Sequence, residues 1–360
     1  MQIALIRYRG SSTGGAELYA GRLMAALVAG GHEVHLLTEQ WDDPPPGVRL
    51  HRLEGGSSRA GRLVRLASDA AAVVERHRFE CVLSLERTSC QQVLRAGDGV
   101  HRVWLEQLRR FSPWWRRPFV GWGAFHRNVL RLEARSFDPA LTRHVIVNSR
   151  MVRDEIVRCF GFPAERIHLV RNGVDVGRFR SGRREATRVA LGLRPDDYTL
   201  LFVGSGWVRK GLPGLIEVMR RFHARREPVR LVVVGKGRFR GAPPNVIFAG
   251  TTDSVEDHYA AADLLAFPPI YEPSANVVFE ALASGLPVVT TACNGAGEVL
   301  TPGVDGTVLA DPTDREALER AIVEWRAKPG RIRVATETID LDRNVAETLR
   351  VLRLASSGQP

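Results

Sequence analysis

The sequence predicts an α/β protein built from two doubly wound parallel-sheet domains. Short apolar runs alternate with longer stretches of helical periodicity. The alternation breaks off in a stretch rich in Gly and Arg near 171–183 and then starts afresh. A chain of 360 residues is also long enough to bury sizeable cores in two domains.

In the first half, "IALIR" (3–7) reads as a strand and "YRGSSTGG" as the loop after it. "AELYAGRLMAALVAGG" has helical spacing and a Gly stop, and "EVHLLT" (33–38) is the next strand. Such a β-loop-α-β unit argues a parallel sheet covered by helices. "CVLSL" (81–85) and "HVIVN" (144–148) continue the series, and "SRMVRDEIVRCF" is a helix with Ser149 as N-cap. In the second half, "TLLFVG" (199–204), "RLVVVG" (230–235), "DLLAF" (263–267), "PVVTT" (287–291) and "GTVLA" (306–310) are strands separated by helical segments such as "LPGLIEVMRRFHARR". The last helical pattern, "DRNVAETLRVLRLA" (342–355), has no strand after it and is free to pack on the first domain. The expected division is 1–172, with a basic aromatic insertion at 101–135, then 173–340, then a C-terminal helix at 341–360. Two such domains should face each other across a cleft, with ligands at the carboxyl ends of the strands.

Composition is that of an ordinary globular protein, 44% apolar and 25% charged, with a formal charge of +11. The positive charge is almost all arginine, for Lys210, Lys236 and Lys328 are the only lysines. From charge alone, nucleic acid, an anionic membrane surface and phosphorylated substrates all stay open as partners. Cys81, Cys90, Cys159 and Cys293 have no CxxC spacing and no nearby His pair, so no metal site is expected and a reducing compartment is. The N-terminal apolar run is too short for a signal peptide, and no stretch reaches the roughly 18–20 apolar residues of a membrane span. A cytoplasmic protein is expected, one that meets a membrane only at its surface.

Chemistry is sought in the loops at strand ends. In "RYRGSSTGGAELYA", Gly14 and Gly15 precede a helix, which suits a phosphate or serves as a plain flexible turn. In "FVGSGWVRKGLPG", Arg209 and Lys210 follow a strand and a glycine loop, and Gly211 opens a helix. Adjacent cations there can neutralise a diphosphate, the alternative being a solvated basic turn. "VVVGKGRFRG" mimics a dinucleotide fingerprint, but its spacing is GxGxxxG and Pro243 and Pro244 break any following helix.

The most informative stretch is "YEPSANVVFEALASGLPVVTT" (271–291). Pro269 and Pro273 frame a loop, Ser274 is a candidate N-cap and Gly285 a stop. Glu272 then lies just before a helix and Glu280 nearly two turns inside it. A diphosphate at the helix start, with Arg209 and Lys210 opposite, would leave both carboxylates to accept hydrogen bonds from hydroxyls on either side, ribose on one and a sugar on the other. The competing reading makes Glu272 an ordinary helix-start acid and leaves Glu280 exposed, against its apolar flanks.

Trp104, Trp114, Trp115 and Trp122 crowd one segment with Phe111, Phe119 and Phe125, among them Arg109, Arg110, Arg116 and Arg117. Tryptophan with arginine suits the interface of an anionic bilayer, or phosphates on a lipid acceptor. The alternatives are a helical hairpin with an aromatic core and a single-stranded nucleic-acid surface, the latter ranked below because the charge is local.

The E-x7-E pattern of Glu272 and Glu280 followed by "ALASGLPVV" resembles the retaining GT-B glycosyltransferases of family 4. "TGGAE", "VNSR", "RNGVD", "RKG" and "NGAGE" lie in the expected order across about residues 13–300. "AGDGVHRVWLEQ" (96–107) is similar to the group of lipopolysaccharide-core glucosyltransferases that act on heptose. The resemblance implies a UDP-sugar donor such as UDP-glucose, no metal or other cofactor, a lipopolysaccharide-core or other lipid-linked acceptor, and peripheral association with the inner membrane from the cytoplasm. No nucleic-acid partner is expected. Carried onto this sequence, it makes Glu280 the ribose ligand, Glu272 the ligand of sugar hydroxyls, and Arg209 with Lys210 the diphosphate ligands. Gly14, Gly15, Glu17, Ser274, Ala275, Asn276 and Val277 would complete the donor site, Gly15 by letting its loop approach the β-phosphate. Asp98 would lie near the reacting carbon. A sugar-nucleotide epimerase of the same fold is the second enzyme reading, and a basic nucleic-acid module the non-enzyme one.

Overall fold

Two all-parallel sheets organise the chain. The computed structural model describes every residue except 11–14, 57, 329, 335–338 and 358–360, and the side chains of residues 15–18 also lie outside the description. The chain divides into a first unit, Met1–Arg171 with Asn344–Pro360, and a second, Asn172–Arg343.

Among the described residues the first unit holds seven strands: β1 Gln2–Ile6, β2 Glu33–Thr38, β3 Val48–Arg52, β4 Cys81–Ser84, β5 Val93–Arg95, β6 His144–Val147 and β7 Ile167–Leu169, in the order β3-β2-β1-β4-β5-β6-β7. β1 pairs with β2 on one side (Leu5 opposite Leu36) and β4 on the other (Leu5 opposite Leu83). Strands covered on both faces read as unbroken apolar runs rather than alternating ones. β1 and β4 accordingly bury Ile3, Leu5, Ile6, Val82 and Leu83 completely, at about 1.5–3 kcal/mol for each large side chain. The expected N-cap at Ser149 is present: its side chain accepts from the Val152 amide, and Gly161 closes the helix Arg150–Phe160 in a left-handed conformation.

The helix Leu341–Ser356 belongs mostly to this unit. Val345, Val351, Leu352 and Ala355 share one apolar cluster with Ile3, Leu5, Leu23 and Leu27. The Tyr19 hydroxyl lies 3.2 Å from Thr348 Oγ1, and Arg143 Nη1 donates to the Ala355 carbonyl at 3.0 Å.

Among the described residues the second unit has six strands: β8 Tyr198–Val203, β9 Val229–Val234, β10 Val246–Gly250, β11 Leu264–Ala266, β12 Val288–Thr291 and β13 Gly306–Leu309, in the order β10-β9-β8-β11-β12-β13. The order reverses between β8 and β11. Chains leaving two neighbouring strands in opposite directions open a crevice at their carboxyl ends, the usual ligand position in such sheets. The loops that follow β8 and β11 are those carrying Arg209, Lys210 and Glu272.

Four strands lie outside the sequence expectation. β3, β7 and β10 are edge strands whose residues are half-exposed or exposed in large part; polar residues interrupt β3 and β7, whereas β10, VIFAG, is a short apolar run that the expectation passed over. β5 is interior but only three residues long.

Candidate functional site

Two glycines shape the loop after β8, one where Lys210 lies back against it and one where it meets the loop after β11. Gly204 has φ +138°, and a Cβ there would stand 2.5 Å from Lys210 Nζ; Gly211 has φ +81°, and its Cβ would stand 1.8 Å from the Pro268 carbonyl oxygen. With both positions free of side chains, the Ile270 amide donates to the Arg209 carbonyl at 2.9 Å. Arg209 is clamped across the loops: Nε donates to the Tyr271 carbonyl at 3.0 Å and Nη2 to Glu272 Oε1 at 3.2 Å. Lys210 is half-buried, with its ammonium 5.7 Å from the Phe267 ring centre. Among the described residues it has no hydrogen-bond or ion-pair partner. Burial and then neighbouring Arg209 lower its pKa, against the pull of Glu272 and Glu280.

The helix beside them runs Asn276–Ala283, with Ala275 as its cap residue and no side-chain cap. This corrects the expected Ser274 N-cap. The Ala275 amide is turned instead onto Asn294 Oδ1 at 3.1 Å, which shifts the helix start beyond reach of Ser274. Ser274 Oγ is buried without a hydrogen-bond partner, as is Glu272 Oε2. Glu280 is the fifth helical residue, little more than one turn in rather than two. Its Oε2 accepts from the Tyr259 hydroxyl at 2.7 Å. Burial raises its pKa, while the Tyr259 hydrogen bond, Arg178 and Lys210 hold it down. Asn276 Oδ1 accepts from Asn172 Nδ2 at 2.7 Å. Ala275 and Val277 bury their side chains in the core, so only their backbone can face a ligand.

The second unit therefore brings Arg209, Lys210, Glu272, Ser274, Asn276 and Glu280 around one helix start. Tyr259, Asn172 and Asn294 were missed as contributors. The last two lie in the noted motifs "RNGVD" and "NGAGE", while Tyr259 carries no local mark.

In the first unit, Gly14 lies outside the described residues, Gly15 begins the helix Gly15–Ala29, and the Glu17 side chain also lies outside the description. Asp98 is exposed just after β5. Near it Glu86, missed from sequence, accepts from Arg7 Nη1 at 3.1 Å and the Tyr8 amide at 3.3 Å. Burial pushes the Glu86 carboxyl up to about 7, against Arg7, and the Asp98 charge adds to the rise.

The basic aromatic segment folds as helices His101–Phe111 and Ala124–Ser136 joined by an irregular stretch. Buried Glu133 accepts from the His101 and Arg102 amides at 2.6 and 3.1 Å, so the second helix caps the first. His101 Nε2 and His126 Nδ1, 3.0 Å apart, join them again. The tip aromatics are not a core: Trp114, Trp115, Phe119 and Trp122 are 77%, 55%, 61% and 75% exposed. Arg110 and Arg116 are exposed beside them, whereas Arg109 and Arg117 brace the tip through carbonyls of Val120 and Ser112. Trp104 is half-buried, unlike the exposed group.

Among the described residues no group of three or more His, Cys, Asp or Glu could hold a metal ion, and no helix is long and apolar enough to cross a membrane.

Comparison with known proteins gives the family and the fold. A model of glycosyltransferase family 4 matches residues 13–178, and one of glycosyl transferases group 1 matches residues 197–327. The chain is 28% identical over 370 residues to a D-inositol 3-phosphate glycosyltransferase of Segniliparus rotundus, covering 89% of this chain and 78% of that one. It is 26% identical over 338 residues to the lipopolysaccharide glucosyltransferase WaaG of Escherichia coli, covering 89% and 88%. In fold it is similar to the crystal structure of WaaG, with a TM-score of 0.77 at 23% identity over 99% of this chain and 95% of that one. HepE of Anabaena, solved with UDP and glucose, gives a TM-score of 0.69 at 18% identity over 98% and 99%. With a matched family domain on each of its two parallel sheets, the chain belongs to the GT-B glycosyltransferases of family 4.

Proposed function

We propose that the protein is a retaining hexosyltransferase that moves a hexose, glucose first among them, from a UDP-sugar to a lipid-linked acceptor such as lipopolysaccharide-core heptose. One observation carries the donor half: the Lys210 ammonium, Glu272 Oε2 and Ser274 Oγ, gathered at one helix start, all lack hydrogen-bond partners among the described residues. Buried polar groups are nearly always satisfied, and such a cluster fits a ligand rich in phosphate and hydroxyl groups. The UDP complexes of HepE and the name of WaaG support the same donor class.

A diphosphate on the first turn of Asn276–Ala283 would meet unpaired amides, Lys210 and Arg209, which stabilise negative charge developing on the leaving group. In this reading these cations do what a metal does elsewhere, so no cofactor is used. Glu272 Oε2 takes a hydroxyl of the donor sugar and Glu280 the ribose. The acceptor attacks from the face that the diphosphate leaves, the departing phosphate takes its proton, and configuration is retained. Asp98 orients the acceptor. The exposed Trp114–Trp122 tip rests on an anionic leaflet, which would hold the protein at the inner membrane.

The test is thermal stabilisation by UDP, UDP-glucose, GDP and ADP. At about 100 times Kd, a ligand should raise Tm by roughly 5 °C or more. UDP compounds should do so in the wild type and not in Glu280→Ala. A shift with GDP or ADP instead would overturn the donor base, and no shift with any of them would overturn the site.

For the acceptor side, Trp114→Ala/Trp115→Ala should weaken binding to vesicles containing anionic lipid by at least about tenfold, given the apolar burial lost. Unchanged cosedimentation would remove the membrane from the proposal.

A further inference from the structure

We infer that Tyr259 is a positioning residue for the donor: its hydroxyl holds the Glu280 carboxylate so that one oxygen is left to receive the nucleotide ribose. This rests on the donor reading above. Tyr259 is fully buried, and its ring lies edge-on to Phe179 at 5.4 Å between centres. Its backbone carbonyl accepts from Arg331 Nη2 at 3.0 Å, so helix Val255–Ala261 holds the ring rigidly beneath helix Asn276–Ala283. From there the phenol reaches Glu280 Oε2 at 2.7 Å, with the Val277 carbonyl a weaker second acceptor at 3.4 Å. Among the described residues the Glu280 carboxylate has no other hydrogen-bond partner.

A phenol can donate to an ionised carboxylate and contributes more to it than to the neutral acid. The groups facing Glu280 from the packed elements are Tyr259, Arg178 on helix Val176–Arg180, and Lys210 after β8. Arg178 is itself drawn away, with Nε on Glu256 Oε2 at 3.0 Å. Lys210 is expected to turn to the diphosphate when donor binds. Tyr259 is then the remaining short contact that keeps Glu280 both charged and aimed.

The sign follows directly. Burial raises the Glu280 pKa, and removing the phenol removes the first of the opposing causes, so the pKa rises further. A charged Glu280 is lost as pH falls through its folded pKa, and in Tyr259→Phe that loss begins at higher pH. UDP-glucose affinity in Tyr259→Phe is therefore expected to fall roughly tenfold near neutral pH, as for a hydrogen bond to a charged group. Its acid limb should move to higher pH. KM for the UDP-sugar should rise with kcat nearly unchanged, the mark of lost uniform binding.

The experiment titrates UDP-glucose, whose diphosphate is a diester with no ionisation in this range, against wild type, Tyr259→Phe, Glu280→Gln and the double variant from pH 5 to 8.5 by calorimetry, with Tm measured for each. Support is a displaced acid limb in Tyr259→Phe, no acid limb in Glu280→Gln, and little further change in the double variant. Tyr259→Phe affinity within twofold of wild type with an unmoved limb overturns the inference, as does a uniform loss at every pH with lowered Tm. If Tyr259→Phe does not fold, an acid limb that persists in Glu280→Gln overturns it equally. A wild type that binds no UDP-glucose at any pH overturns the donor reading itself.

Discussion

In Lys210→Ala, kcat for sugar transfer is expected to fall by about 10²–10³-fold, the usual cost of removing one preorganised charge at a developing oxyanion. Arg209 cannot stand in, because Glu272 Oε1 and the Tyr271 carbonyl already hold its guanidinium. Lys210→Arg should restore little, since Gly204 leaves room for a lysine chain lying against it and the larger planar head needs another path. Stability should move the other way. Burial lowers the Lys210 pKa, so a charge is held in the fold at a cost that alanine removes. Tm in Lys210→Ala should stay level or rise while kcat collapses, the pattern of a group kept for function. A Tm that falls in step with kcat would show that the variant lost its loop rather than its charge.

Gly211→Ala is expected to destabilise the second unit by about 4 kcal/mol, near the upper end for single substitutions. Two causes add. At φ +81° any side chain is strained, and the added Cβ would stand 1.8 Å from the Pro268 carbonyl oxygen and 2.7 Å from its carbon. Backbone cannot yield there without separating the loops after β8 and β11, so donor binding should be lost with stability. Gly206→Ala separates the causes, for Gly206 has φ +74° but nothing within 4 Å of its Cβ position. It should cost about 1 kcal/mol, the conformational part alone. Urea unfolding of the three proteins decides the matter. Equal losses would show that the close approach to Pro268 has no energetic weight.

The sites where expectation and structure diverge share a cause. Ser274 has the residue type, spacing and proline flank of an N-cap, yet Asn294, twenty residues on, takes the Ala275 amide and the hydroxyl is left without a partner. Capping preference is local, and a carboxamide delivered by a neighbouring loop outweighs it. The tryptophans of 104–122 allow either a core or a surface on composition. Val103, Leu105 and Val129 bury instead, which leaves Trp114, Trp115 and Trp122 outside. Glu86 carried no motif; it matters because the parallel pairing of β1 with β4 sets it against Arg7 and Tyr8.

The sequence by itself determined the two parallel sheets, the glycine and proline loops after β8 and β11, and the placing of Glu272 before a helix and Glu280 inside it. These follow from short-range physics, since strands buried on both faces must be apolar throughout and sharp turns need Gly or Pro. Tertiary structure alone decided that helix Leu341–Ser356 completes the first unit's core, that Arg209 is tied to Glu272 while Lys210 stays unpaired, and that Tyr259 lies under Glu280. Each depends on residues far apart in the chain that meet only when strand order brings their ends together, and periodicity within one element carries no record of such a meeting.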